Sequence, residues 1–528
     1  MLSLPVAWFR ALLVSGGDGR RLALTGSLLL TVLIKWAVSL HSHSGKHSPP
    51  MYGDFEAQRH WLELTTHLPR ELWYRYDLPY WGLDYPPLTA LHSWLLGNLA
   101  HLINPSWVAL DISRGNEDPN LIIFMRLTAL LTESLILLPG IIWFSKLWFP
   151  SPTSWIEKNS WIFLMLLNPA LIIIDHGHFQ YNSAMLGLAL LALSSFMDNR
   201  YILGSIFFCL SLNFKQMALF YAIPTFFFLL GRCIQMGFTR GFMMLIKLGV
   251  TVALIFAACI VAVAPSIEDA IQVFVRVFPV NRGLYEDKVA NVWCAINVVV
   301  KLREIFKVSD LMKLSILCTL VAVLPAGLLV LCYPNRRTFM YSLIVGSLGF
   351  FLFSFQVHEK SILLPTLPIS LFLLDDQVAS SWFMNVAMFS MYPLLQRDGL
   401  ALPYFALIGL WNVLNPAAFE YHGTLLKAGM LTSLSLMVGW HILDVSLSPL
   451  ENYPDINVVL NVIISTAHFG LFFVYFYWQL WVSSSRGALS SAFSSTTALF
   501  IGVSTSPTST FSSLKKFNSK SPTKNKVD

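Results

Sequence analysis

The chain has 528 residues, of which 55% are hydrophobic and only 12% charged, with a formal net charge of +6. Soluble domains run to about a quarter charged, so a soluble globular protein is excluded. The recurring apolar runs, near the roughly twenty residues that cross a bilayer, predict an all-α polytopic membrane protein. Its basic residues gather at helix ends and in the C-terminal tail and form no nucleic-acid-binding face. The six cysteines (Cys209, Cys233, Cys259, Cys294, Cys318 and Cys332) lie mostly within or beside apolar runs. They show no CxxC spacing, so neither a disulfide framework nor a metal site is expected from them.

Residues 1–21 hold Arg10, Arg20 and Arg21 against one acid, Asp18. Residues 22–40 form the first expected span, too long for a secretory signal and without a small-residue cleavage site. The positive-inside rule then puts the N-terminus in the cytosol and the following region, 41–120, on the lumenal or exterior side. Its polar loop carries Asp54, Glu56, Glu63, Glu71, Asp77 and Asp84 beside Lys46, Arg59, Arg70 and Arg75. A loop that only joined two helices would need none of them. Trp61, Leu64 and Leu68 recur at i, i+3, i+7 and predict a short amphipathic helix from Gly53 to about Leu68. Such a helix is expected to lie in the headgroup plane with its acids toward water. Pro86-Pro87 starts a second short apolar helix through about Ile103, which carries His92, Ser93, Asn98 and His101 and reads as re-entrant or interfacial. A polar loop follows at 104–120.

Further spans are expected near 121–148, 159–175, 182–197, 202–231 (with a break near Lys215), 241–265, 289–301, 313–333, 338–355, 361–374, 380–395, 401–415, 424–444 and 457–482. That makes roughly twelve to fourteen crossings by length. The polar stretch 266–288 is expected on the same side as the first loop. From Ser483 to Asp528 the chain is Ser/Thr-rich and basic, which predicts a disordered cytosolic tail. Lys524 and Lys526 have the spacing of a K-x-K-x-x retrieval signal for the endoplasmic reticulum. The expected organisation is a cytosolic N-terminus (1–21), one transmembrane domain (22–482) and the tail (483–528).

Four polar clusters interrupt the apolar pattern: Asp175–Ser183, Asn213–Gln216, Arg276–Lys288 and Ser354–Ser361. Ionisable groups at membrane depth are costly and point to function, although at helix ends they also serve as interfacial anchors. Together they predict a cation-rich cavity in which Arg276, Arg282, Lys288, His358 and Lys360 meet the phosphate of a lipid-linked substrate. His176 and His178 stand at i, i+2 without a third ligand at metal spacing, so no metal is expected. No Walker loop, no G-x-G-x-x-G and no D-x-D occurs. A nucleotide-sugar donor is therefore not expected, and an activated group would come from a membrane lipid.

The stretches GDFEAQRHW, YWGLDYPPLTA, DHGHFQYNS, NFKQMALFYA, FPVNRGLYEDKVANVWC and FSFQVHEKSILLP resemble the eukaryotic lumenal glucosyltransferases of the dolichol pathway. Gly53, Gln58, His60, Leu88 and Thr89 follow the pattern of members that add the first glucose, rather than the sister members that add the second. The resemblance implies a GT-C fold, a helix bundle whose active site sits on lumenal loops of the endoplasmic reticulum membrane. It implies an inverting transfer from dolichyl-phosphate-glucose to a dolichyl-diphosphate oligosaccharide, with no metal or other cofactor. Asp54 is expected as general base, Asp84 as a second functional carboxylate, and His358 beside the donor phosphate. The other expected substrate contacts are Arg59, Tyr85, Gln180, Lys360, Arg276, Arg282 and Lys288; the last two and Arg276 rest on charge and loop placement.

Blander readings stand beside these. Asp54 before a helix is also a good N-cap, Asp84 before Pro86-Pro87 suits an Asx turn, and Trp61, Trp81 and Tyr85 suit an interfacial belt. Many spans with buried charge also fit a polyprenyl-lipid flippase, although no internal repeat of the transporter kind is visible.

Overall fold

The structure, a computed structural model, describes residues 17–149, 155–278, 288–416, 419, 424–446 and 454–500, apart from the side chains of 18, 20, 424 and 486–500. The described residues form helices and loops without a β-strand. Eight helical segments are long and apolar enough to cross a membrane: Arg21–Ser39, Pro119–Trp148, Trp155–Phe179, Gln216–Gln235, Phe238–Val263, Val308–Cys332, Leu425–Ser446 and Ile456–Ser485. Three further apolar helices, Asn182–Met197, Tyr201–Phe214 and Ala401–Leu414, are shorter. The all-α multi-pass architecture expected from composition is present, with fewer full-length segments than the apolar runs suggested.

The difference has a local cause, because several runs are cut where a polar residue or proline meets the helix ladder. Pro169 has no N–H to donate, and Asn168 accepts from the Leu171 amide there at 3.2 Å. The segment thus divides into Trp155–Leu166, Pro169–Ile172 and a π-helical turn, Ile173–Phe179. The run at 202–231 breaks at Lys215, as expected, into Tyr201–Phe214 and a 3-10 turn, Gln216–Tyr221, before Ala222–Gln235. Residues 289–301 yield only Val292–Val299, capped by Asn291. Residues 361–374 yield the 3-10 turn Glu359–Ile362 and the helix Leu363–Leu371. Irregular backbone at membrane depth is tolerated where it is buried or lines a cavity, and three of these breaks converge on one.

The segment Trp155–Phe179 and the helix Asn182–Met197 are almost wholly buried and form the centre of the bundle. Pro119–Trp148, Tyr201–Phe214, Arg336–Phe353 and Gln377–Arg397 pack around them. Helix Ile456–Phe500 runs beyond residue 482, so residues 483–500 are helical where a disordered tail was expected. No proline interrupts the chain between Ser483 and Ser506, and helix propagation is cheap once nucleated. Residues 501–528, including Lys524 and Lys526, lie outside the described residues.

The acidic loop folds differently from the surface helix that its spacing suggested. Helix Gly53–His67 forms, but Phe55 through Thr65 are all buried, including Glu56, Arg59, His60 and Glu63. Its acids turn inward because Arg59 lies between them: Nε and Nη2 donate to Glu56 at 2.7 and 2.6 Å. Nη2 also meets Glu63 at 2.7 Å, and Nη1 donates to Ser113 at 2.6 Å. Periodicity sees only the apolar stripe; it is blind to a salt-bridge cluster that makes the opposite face fit for burial. Helix Pro87–Ile103 starts at the expected double proline and packs on Gly53–His67 at Gly97, where an added Cβ would fall 2.2 Å from Thr66 Oγ1 and 2.5 Å from Leu62 O. Its outer face exposes Trp94, Leu95, Leu99, Leu102 and Ile103, an apolar face of the kind that an interfacial helix turns to lipid.

Candidate active site

Helix Gly53–His67, the loop at 78–85, the π-helical turn, the break at Lys215, Arg276, the 3-10 turn at Glu359 and the end of helix Gln377–Arg397 line a cavity of about 400 Å³. Asp54 lies on its wall, in the first turn of its helix. The backbone before it turns sharply: Gly45 and Gly53 have φ of 72° and 66° and lie in contact, and Ser44 Oγ accepts from the Asp54 amide at 3.3 Å. Tyr52, in the left-handed region, occupies the N-cap position. Asp54 is therefore not the cap, and its side chain is free for other partners.

Those partners come from across the chain. Gln180 Nε2 donates to Asp54 Oδ2 at 2.5 Å, His178 Nε2 lies 2.9 Å from the same oxygen, and Lys360 Nζ donates to it as well. All three meet Oδ2; Oδ1 has no hydrogen bond from the described residues. The side chain retains 26% exposure, toward the cavity. Burial alone would raise the Asp54 pKa. The Lys360 ammonium and the His178 hydrogen bond and charge outweigh it and hold the carboxyl well below its ordinary 3.8. Asp54 is an ionised carboxylate at neutral pH.

Each partner is itself fixed. The π-helical turn that carries His178 is gripped by Arg126, whose Nη1 donates to His176 O at 2.5 Å and Gly177 O at 2.8 Å. Glu133 binds the His176 ring at 2.6 Å and also pairs with Lys35. His178 Nδ1 meets Asp398 Oδ2 at 2.5 Å. Gln180 is oriented by Lys215, whose Nζ donates to Gln180 Oε1 at 2.6 Å and to Asn182 Oδ1 at 2.7 Å. With its oxygen so engaged, the Gln180 amide must present nitrogen to Asp54. Lys215 also sits 4.9 Å from the centre of the Tyr85 ring, a cation–π contact.

Of the residues expected from sequence, Asp54, Asp84, Tyr85, Gln180, Arg276, His358 and Lys360 line this one cavity. Arg276 also braces it, donating to Gly82 O at 2.9 Å and Leu83 O at 3.2 Å. The Tyr85 phenol is held neutral, its pKa pushed well above 10 by burial and then by the Asp54 and Asp84 carboxylates. Two expectations are corrected. Arg59 is fully buried in the Glu56–Glu63 cluster and does not reach the cavity wall. Lys288 pairs with Asp455 instead and is not part of the lining. Arg282 lies outside the described residues.

Four lining or supporting residues escaped selection. His178 and Lys215 stood in the polar clusters that sequence did single out, and their burial next to Asp54 was the missing fact. Arg397 lines the cavity and Asp398 stands behind His178. Arg397 ends one apolar helix and Asp398 follows it in the short turn to the next, where a charged pair reads as ordinary loop polarity.

Across its sequence the chain is similar to curated glycosyltransferases. It is 42% identical over 463 residues to a Schizosaccharomyces pombe protein named probable dolichyl pyrophosphate Man9GlcNAc2 alpha-1,3-glucosyltransferase, covering 86% of this chain and 90% of that one. Proteins named dolichyl pyrophosphate Man9GlcNAc2 alpha-1,3-glucosyltransferase from Gallus gallus and Saccharomyces cerevisiae are 41% and 40% identical. In both cases 86% of this chain is covered, with 95% and 91% of the relative. Residues 31–475 match the ALG6, ALG8 glycosyltransferase family, a span that takes in Asp54 and every residue found around it. The chain is a member of the ALG6, ALG8 glycosyltransferase family.

Proposed function

We propose that this glycosyltransferase moves glucose from dolichyl-phosphate-glucose to the terminal mannose of Man9GlcNAc2-PP-dolichol, with an α-1,3 linkage and inversion at C1, on the lumenal side of the endoplasmic reticulum membrane. The names of its relatives support the acceptor and linkage. The observation that carries the chemistry is Asp54: an ionised carboxylate on a cavity wall, pinned by three donors at Oδ2 with Oδ1 left over.

One displacement suffices. Oδ1 takes the proton of the attacking mannose 3-hydroxyl as that oxygen bonds to C1. The C1–O bond to the lipid phosphate breaks, and its electron pair leaves on phosphate oxygen. A positioned base of this kind is typically worth about 10²- to 10⁴-fold. Lys360 and Arg276 provide the positive field in which charge grows on the leaving phosphate, with His358 on the same cavity. A phosphate is already a weak base, so this reading needs neither a strong acid nor a metal. Tyr85 and Trp81 offer flat faces to the sugars, and Asp84 offers a second acceptor for sugar hydroxyls.

The charge pattern supports a lumenal cavity. Helix Asn182–Met197 begins beside Gln180 and runs 16 residues, or about 24 Å. Its far end carries Arg200, and Arg232 and Arg336 gather there, with Arg336 Nη2 donating to Met197 O at 2.9 Å. Arginine clustered at the end opposite the cavity fits a cytosolic face there.

The test is product mass with purified protein in detergent, dolichyl-phosphate-glucose and two acceptors, one without glucose and one already carrying one. A one-hexose gain on the unglucosylated acceptor, insensitive to chelators, is expected. Extension of the glucosylated acceptor alone would place the protein with the sister step. Relocation of the donor without its consumption would make it a transporter.

A further inference from the structure

His178 is a buried imidazole between two carboxylates from opposite ends of the chain, and the reaction above gives it no task. Its Nε2 lies 2.9 Å from Asp54 Oδ2 and its Nδ1 lies 2.5 Å from Asp398 Oδ2. Asp398 is 7% exposed, and His178 is the one side-chain partner that its carboxylate has among the described residues. We infer that Asp398 is a positioning residue for the transfer: through His178 it fixes the rotation of the Asp54 carboxylate and so determines that Oδ1 is the oxygen offered to the acceptor hydroxyl. The inference rests on Asp54 as the base.

The reasoning is geometric. Nδ1 is joined to Asp398 Oδ2 by a hydrogen bond of 2.5 Å. That bond holds the plane of the ring and sets Nε2 against Oδ2. Of the donors on Oδ2, Lys360 is a flexible ammonium for which donor phosphate oxygens would compete. The Gln180 amide and the His178 ring are the rigid ones, and Gln180 is held from its own far side by Lys215. Asp398 does for His178 what Lys215 does for Gln180. The groups facing His178 are Asp54, Lys360 and Asp398, with Arg126 on the neighbouring carbonyls, and Lys215, His358, Glu359 and Arg397 on the same cavity.

The experiment measures kcat and KM for donor and acceptor in Asp398→Asn, Asp398→Glu, His178→Gln, the double variant Asp398→Asn/His178→Gln, and Asp54→Asn, each shown to be monodisperse with an unchanged thermal midpoint. Asp398→Asn is expected to lower kcat roughly 10- to 100-fold with both KM values within twofold, and Asp398→Glu to recover most of it. In the His178→Gln background, Asp398→Asn is expected to cost no more than a further twofold, because the ring it orients is gone. Wild-type kcat in Asp398→Asn, or full additivity in the double variant, overturns the inference. If Asp398→Asn does not fold, Asp398→Ser decides: a kcat lowered at least about tenfold with both KM values within twofold is expected, and wild-type kcat overturns the inference. Transfer by Asp54→Asn would instead sink the reading of the base, a separate failure.

Discussion

Replacing Arg59 with alanine is expected to cost the fold about 4 kcal/mol while leaving substrate affinity unchanged. The guanidinium is fully buried and takes Glu56 by two nitrogens, Glu63 by one, and Ser113 by another. Its loss leaves two carboxylates in a dry site without a counter-charge. Breaking a buried pair by removing one partner costs about 3–5 kcal/mol, a large part of the roughly 5–15 kcal/mol that holds a domain together. The Glu63 pKa gives an independent measure. Burial pushes it up, but the His60 and Arg59 contacts win and take it from 4.5 to about 2. A depressed carboxyl contributes stability that is present above its ordinary value and is lost as pH falls from about 4.5 toward about 2; the shift corresponds to about 3 kcal/mol. Thermal unfolding in detergent, followed by intrinsic tryptophan fluorescence, should show a drop of roughly 5–10 °C for Arg59→Ala at neutral pH. The gap from wild type should narrow as pH falls through that window. Arg59→Lys, with a charge but no fork, should fall between the two. An unchanged midpoint with a tenfold rise in donor KM would refute this account and return Arg59 to the substrate site.

Two further outcomes follow from the same geometry. Gly45→Ala should lower activity more than stability. Its φ of 72° and the 2.1 Å approach of an added Cβ to Tyr52 C force the turn before Asp54 to shift, at roughly 1–2 kcal/mol of strain; activity equal to wild type would show that the turn does not place the base. Neutralising Lys360 should raise the donor KM more than the acceptor KM, in steady-state assays varying each substrate in turn, and equal effects on both would argue that it serves structure alone.

The helix start at Pro87, the break at Lys215 and the place of Asp54 at the start of a helix were legible because each depends on local chemistry: a double proline, a lysine in an apolar run, an acid beside glycine. The multi-pass class followed from composition. What stayed hidden depends on contacts distant in sequence. The hydrogen bond that joins His178 to Asp398 spans 220 residues of sequence, and no spacing encodes it. Arg59 was expected to contact substrate because its two glutamates read as solvent-facing acids of an amphipathic helix; only packing shows that they face it. The run at 289–301 looked like a span by hydropathy, but the Asn291 cap and the chain around Val300 confine the helix to eight residues. Lys288 was grouped with the cavity by its proximity to Arg276 in sequence, yet it pairs with Asp455 at the start of helix Ile456–Phe500.

The most direct test of the account is Asp54→Asn in a single-turnover assay with dolichyl-phosphate-glucose and the unglucosylated lipid-linked acceptor, with donor binding measured on the same preparation. The amide preserves shape and removes the basic oxygen. Glucose transfer reduced at least about 10²-fold, with donor affinity within a few fold of wild type, is the predicted result. Transfer at the wild-type rate by folded Asp54→Asn would contradict the central claim, and the carboxylate at the cavity wall would then have to be explained by something other than catalysis.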